Sequence, residues 1–125
     1  MTTELPRPTA AELQVLDVLW RLGAQTVRGV ASDLHGDPSP VQYRTVQVLL
    51  DRLEKKGLVA RDRSVTPQSF AATVDRSGVI GNELQDLADR ICEGALAPLL
   101  LNLADRARLS PEEKARLWKL LEEEV

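Results

Sequence analysis

Cysteine occurs once in these 125 residues, as Cys92, and histidine once, as His35. A lone cysteine excludes an internal disulfide and any multi-cysteine metal site, and makes the cytoplasm the expected compartment. Zinc binding and most acid–base or nucleophilic catalysis need several convergent ligands or bases, and one histidine does not supply them. His35 reads as a surface or helix-end residue, and Cys92, with no histidine in its segment, as a buried position in a core or a dimer interface. Aromatic residues are as scarce: Trp20, Tyr43, Phe70 and Trp118 are the full set, so the core must be mostly Leu and Val. The longest unbroken apolar run is the LLL at 99–101, far too short to cross a bilayer, so no membrane insertion is expected. The first thirteen residues, MTTELPRPTAAEL, lack a basic start followed by an apolar run, and no secretory signal is expected. The scattered glycines form no phosphate-binding loop. No catalytic residue, metal or cofactor is expected, and nothing in the sequence signals a small-ligand pocket.

A large basic excess is also missing. The net charge is −3, which at first argues against nucleic acid, but the charge is unevenly spread. Residues 1–74 hold nine Lys/Arg and eight Asp/Glu; residues 75–125 hold seven and eleven. Arg44, Arg52, Lys55, Lys56, Arg61 and Arg63 cluster against only Asp51, Glu54 and Asp62. A DNA-binding surface requires a local positive patch rather than a basic whole.

What is present is a sequence of helical stripes. A chain of this length suits one domain, or one with a helical appendage. In RPTAAELQVLDVLWRLG, Thr9 and Glu12 have capping-box spacing, Leu13, Leu16, Leu19 and Trp20 form an apolar stripe, and Gly23 is a fitting stop. TVRGVASDLHGD reads as a second helix with Thr26 as N-cap and Val27, Val30, Ala31 and Leu34 inward. The breaker cluster GDPSP marks a turn, and a third helix starts near Pro40 or Val41. Its Val46, Leu49, Leu50 and Leu53 follow the i, i+3, i+4, i+7 pattern, and Gly57 ends it. LVARDRS and SFAATV alternate well enough to be two strands around a turn at VTPQ. Three helices and a hairpin in that order predict a fold that is mainly α with a small β-hairpin: a winged helix-turn-helix over 1–74, followed by C-terminal dimerisation helices over 75–125.

In a helix-turn-helix the second helix enters the major groove, with its N-terminal residues at the base edges. The inward stripe leaves Gln42, Tyr43, Arg44, Thr45, Gln47 and Val48 facing outward. Arg pairs with guanine and Gln with adenine; Thr45 and Tyr43 suit phosphate or a thymine methyl. Arg52 and Lys55 suit backbone phosphates, and Arg61 and Arg63 stand in the wing, where a basic residue reaches phosphate or a minor groove. Thr26, at the start of the second helix, completes the expected DNA-facing set. Two alternatives remain open: an amphipathic helix that meets only water, or a winged-helix protein–protein module, for which Tyr43 is the one candidate anchor.

Four stretches, TAAELQVLDVLWRLG, YRTVQVLLDRLEKKGLVAR, LADRICEGALAPLLLNLAD and LSPEEKARLWKLLEE, resemble the penicillinase and methicillin-resistance repressor family of winged-helix proteins. The most specific is the second, where Thr45, Leu49, Arg52, Leu53, Lys56 and Gly57 match the family's recognition helix. The resemblance implies a homodimeric repressor of an inverted-repeat DNA operator, with links to β-lactam resistance. It also implies a membrane sensor protease that cuts the repressor in its dimerisation region. The matching bond here is Asn102–Leu103, with Leu where the family typically has Phe; Asn102 reads equally as an exposed helical residue. The absence of paired cysteines argues against the family's copper-responsive members.

The C-terminal part supports pairing on its own terms. Ile80, Leu84, Leu87 and Ile91 recur at helical spacing, and an apolar block containing Leu99 and Leu100 follows. Gly94 permits a kink and Pro98 a break or a new start. Ser110, Pro111 and Glu113 open a last helix whose Leu117, Leu120 and Leu121 face one way. Such helices are too apolar to stand alone in water: they pair with a second chain, or fold back over the winged helix in a monomer.

Overall fold

The computed structural model of the chain describes residues 7–123, apart from the side chains of Leu121 and Glu123. Within that range the element order is α1 (Ala10–Leu22), β1 (Gln25–Thr26), α2 (Val27–His35), α3 (Pro40–Lys55), β2 (Val59–Asp62), β3 (Ser69–Ala72), α4 (Arg76–Ile91), α5 (Ala97–Arg106) and α6 (Pro111–Glu123). Helix-turn-helix and hairpin give a winged helix, as the periodicity predicts.

Local chemistry sets the helix boundaries. Thr9 and Glu12 close a reciprocal capping box at the start of α1, Thr26 Oγ1 accepts the Gly29 N–H, and Ser110 and Glu113 close a box at α6. α3 begins with a third box: Ser39 Oγ accepts the Gln42 N–H at 3.1 Å and Gln42 Oε1 accepts the Ser39 N–H at 2.9 Å. At its other end Gly57 takes φ +79°, and the Leu58 N–H returns to the Leu53 carbonyl at 2.9 Å. A Cβ would be strained at that φ, so glycine lets the chain leave α3 directly into β2.

The sheet has three strands in the order β1-β3-β2, both pairs antiparallel, rather than the expected two. β1 is only two residues long and pairs Gln25 with Phe70 and Thr26 with Ser69. It stitches the start of α2 to the wing.

Val15, Leu16, Val18 and Leu19 of α1, Val30 and Ala31 of α2, and Val46, Leu50 and Leu53 of α3 form one buried cluster with Leu58, Val59 and Phe70. Full burial of each such side chain stabilises by roughly 1.5–3 kcal/mol. The α1 stripe is rotated from the expected one: Leu13 and Trp20 are only partly buried, whereas Val15 and Val18 are fully inside. Leu49 is likewise at the margin of the core.

The described chain divides into two compact units, one ending at Glu83 and the other starting at Leu84. The expected boundary at 74/75 lies in the segment before α4, whereas this division lies inside α4. In the first unit, Arg76 reaches Asp17 at 2.5 Å, the Trp20 indole N–H donates to the Val74 carbonyl at 2.8 Å, and Arg7 pairs with Glu83 at 2.7 Å. These contacts, with buried Val79, tie the first turns of α4 to α1.

In the second unit α4 ends at Ile91, and Glu93 and Gly94 take φ +52° and +85°, so the chain breaks there rather than kinks. α5 starts afresh with Pro98 in its first turn and buries none of its side chains. Among the residues expected to mediate pairing, Leu84, Ile91, Leu100 and Leu120 are exposed here, as is Ile80 in the first unit. Leu87, Leu99 and Leu117 are half-buried, and the side chain of Leu121 lies outside the described residues. Leu96, Leu101, Leu103 and Trp118, the last 66% exposed, add further apolar surface.

Candidate nucleic-acid interface

α3 is a 16-residue helix with Val46, Leu50 and Leu53 fixed in the core. That anchoring fixes which side chains face away, because residues three and four apart share a face. Arg44, Thr45, Gln47, Val48, Arg52 and Lys55 are all exposed, as expected.

The two acidic residues of α3 are both turned toward the wing. Arg61 on β2 contacts Asp51, lies 3.2 Å from Glu54, and places its guanidinium 4.7 Å from the centre of the Phe70 ring on β3. Arg63 lies 3.3 Å from the other oxygen of Glu54. These pairs neutralise the carboxylates on the wing flank. Arg44, Arg52 and Lys55, exposed on the same helix, have no carboxylate partner among the described residues. The outward face of α3 is therefore more positive than the net charge of the chain suggests, and such a local field draws polyanions.

Four expected contacts are placed differently. Arg61 is mostly covered and held between α3 and Phe70, so it braces the wing rather than projecting toward phosphate. Arg63 remains largely exposed despite its weak pair. Gln42 turns its carbonyl oxygen back to accept the Ser39 N–H, so a contact with a base through both its amide groups would compete with the cap of α3. Gln47, exposed one turn further on, has no such commitment among the described residues. Tyr43 packs partly into the core, beneath the guanidinium of Arg28 at 5.8 Å from the ring centre. Its ring is not a free anchor. Thr26 is half-buried, with its hydroxyl oxygen capping α2.

Arg28 was not among the expected residues. It is exposed, at the second position of α2, and lines with Thr26, Tyr43, Gln47 and Arg61 a cleft of about 300 Å³ between α2, α3 and the wing. A cation beside a capped helix N-terminus is the available signal, since free N–H groups there favour anions. Thr45 donates its hydroxyl to the Val41 carbonyl at 3.0 Å, so that hydrogen is not offered to a ligand.

Among the described residues no group of His, Cys, Asp and Glu is placed to hold a metal, and no helix is long and apolar enough to cross a membrane. The exposed face of α3 carries cations, amides and aliphatic side chains together on one helix.

The chain is similar to several known proteins. A family model described as penicillinase repressor matches residues 8–123. The penicillinase repressor of Bacillus licheniformis is 28% identical over 120 residues, covering 96% of this chain and 93% of that one. The methicillin resistance regulatory protein MecI of Staphylococcus aureus (strain N315) is 23% identical over 115 residues, covering 90% and 91%. A solved structure concerning regulation of the DNA binding of Bordetella bronchiseptica BpsR by 6-hydroxynicotinic acid aligns with a TM-score of 0.47 at 21% identity, covering 98% of this chain and 82% of that chain.

Proposed function

The chain belongs to the penicillinase repressor family, and we propose that it represses transcription by binding, as a homodimer, an inverted-repeat operator read by α3. The family is one of DNA-binding repressors, not enzymes. The observation that carries the finer reading is the exposed face of α3, where Arg44, Arg52 and Lys55 have no carboxylate partner among the described residues while Arg61 and Arg63 pair with both acids of the helix.

On this reading α3 lies in the major groove. Arg44 donates two N–H groups to guanine O6 and N7, and Gln47 pairs with adenine. Arg28, Arg52, Lys55 and Arg63 meet phosphates and fix the register of the helix. Counterions released from those phosphates supply much of the affinity, and salt weakens it. A dimer bound across a promoter excludes the polymerase. The exposed apolar side chains of α4, α5 and α6 support pairing with a second copy of the chain.

Release by a membrane sensor protease that cuts Asn102–Leu103 is the regulation the resemblance favours. Asn102 is exposed in α5 and its Oδ1 accepts from Arg106 Nε at 2.9 Å. A helix must open before a protease can thread it; within one chain α5 buries none of its side chains, so pairing with a second copy is what would hold it closed. The names of the relatives connect such repressors to penicillinase and methicillin resistance. Against a protein-binding module, Tyr43, its one candidate anchor, is partly packed into the core.

The test starts with a duplex selected by the full-length protein from a random-sequence pool. Fluorescence anisotropy should then give a Kd of about 10⁻⁸ M or tighter, at least roughly 10³-fold below that for a scrambled duplex at the same salt. Failure to select any sequence, or equal affinity for both duplexes, overturns the reading.

A further inference from the structure

Charged and amide groups do not account for the whole outward face of α3. Val41 is 75% exposed and Val48 41% exposed. Thr45 stands between them, with its hydroxyl tied back to the Val41 carbonyl. The three occur at i, i+4 and i+7, so they lie on one side of the helix. With Arg44 and Arg52, and with Pro40 and Leu49, they line an open depression of about 500 Å³.

Resting on the operator-binding reading above, we propose that Val41, Thr45 and Val48 form an apolar strip that reads thymine C5-methyl groups in each half-site. Among the four bases only thymine presents a methyl group in the major groove. Seven residues of helix span about 10 Å, close to three base steps of about 3.4 Å. The depression holds no aromatic side chain, whereas a protein–protein core gathers several large anchors in one pocket. The strip is flanked by Arg44 and Arg52, neither of which has an acidic partner among the described residues, so the matching surface is anionic around an apolar spot. A thymine edge between two phosphate backbones has that character. Specificity thus has two parts: Arg44 selects guanine by hydrogen bonds, and the strip selects thymine at neighbouring steps by contact.

The selected duplex tests this when resynthesised with deoxyuridine in place of one thymidine at a time, which removes only the methyl group. Full-length protein is titrated by anisotropy on each duplex. Wild type should lose about fourfold in affinity per methyl, the equivalent of one buried methyl group, at one to three positions in each half-site. Val41→Ala and Val48→Ala should each bind the parent duplex more weakly and lose discrimination at one of those positions. Val48→Thr, which keeps the branched shape, should retain it, and thermal melts establish that all three variants are folded. Affinity unchanged within about twofold at every deoxyuridine position overturns the strip, as does full wild-type discrimination in both alanine variants. If no duplex can be selected at all, the operator reading fails first, and the two failures are distinguishable.

Discussion

Arg44 and Arg61 carry the same guanidinium on adjacent elements, and their surroundings give them opposite work. Arg61 has two carboxylates and an aromatic face within reach, and its charge is spent inside the fold. Arg44 has no acidic partner among the described residues and is exposed. Replacing Arg44 by Ala should therefore cost about 1–3 kcal/mol on the selected duplex and much less on a scrambled one, measured by anisotropy at fixed salt. An equal loss on both would make it a phosphate contact. Residue-level roles were legible where three-residue spacing governs them, as at Thr9 and Glu12 or Ser110 and Glu113. Ser39 and Gln42 have that same spacing, and it draws the Gln42 oxygen into the cap of α3. Arg61 was not legible, because its partners at Asp51, Glu54 and Phe70 come together only when the wing folds back on α3.

Between elements, the joint of α1 with the end of α3 is sensitive to acid. The buried Glu12 carboxylate accepts the Thr9 N–H at 3.0 Å and the Lys56 ammonium at 2.6 Å. Burial alone would raise its pKa; the Lys56 and Thr9 donors outweigh that and hold it below the ordinary 4.5. A carboxyl whose pKa is lowered by folding adds stability above its unfolded value and loses it as pH falls through the folded one. Glu12→Gln keeps a side chain able to close the capping box but removes the charge. It should destabilise by roughly 1.5–3 kcal/mol at pH 7 in urea melts, the scale of a charged hydrogen bond. That gap should close progressively as pH falls below about 4.5; a gap of the same size at pH 7 and pH 3 would refute the assignment. The helices on either side of this joint were readable from their periodicity. β1 was not, since two residues carry no period and their partners in β3 lie more than forty residues on.

At the scale of the molecule, the winged-helix unit has a continuous core, whereas α5 buries nothing and Ile91, Leu101, Leu103 and Trp118 stand exposed. Composition alone made these helices legible as too apolar for isolation. Where the units divide was not legible, because α4 runs through Glu83 without any break in pattern. If second copies cover that apolar surface, the two α3 helices are related by a two-fold axis. A hydroxyl-radical footprint of the full-length protein on its selected duplex tests this most directly. Two protected stretches are predicted, centred about 34–36 Å apart or a multiple of that, over sequences inverted with respect to each other. One protected stretch, or two in the same orientation, would contradict a symmetric dimer reading its operator through α3.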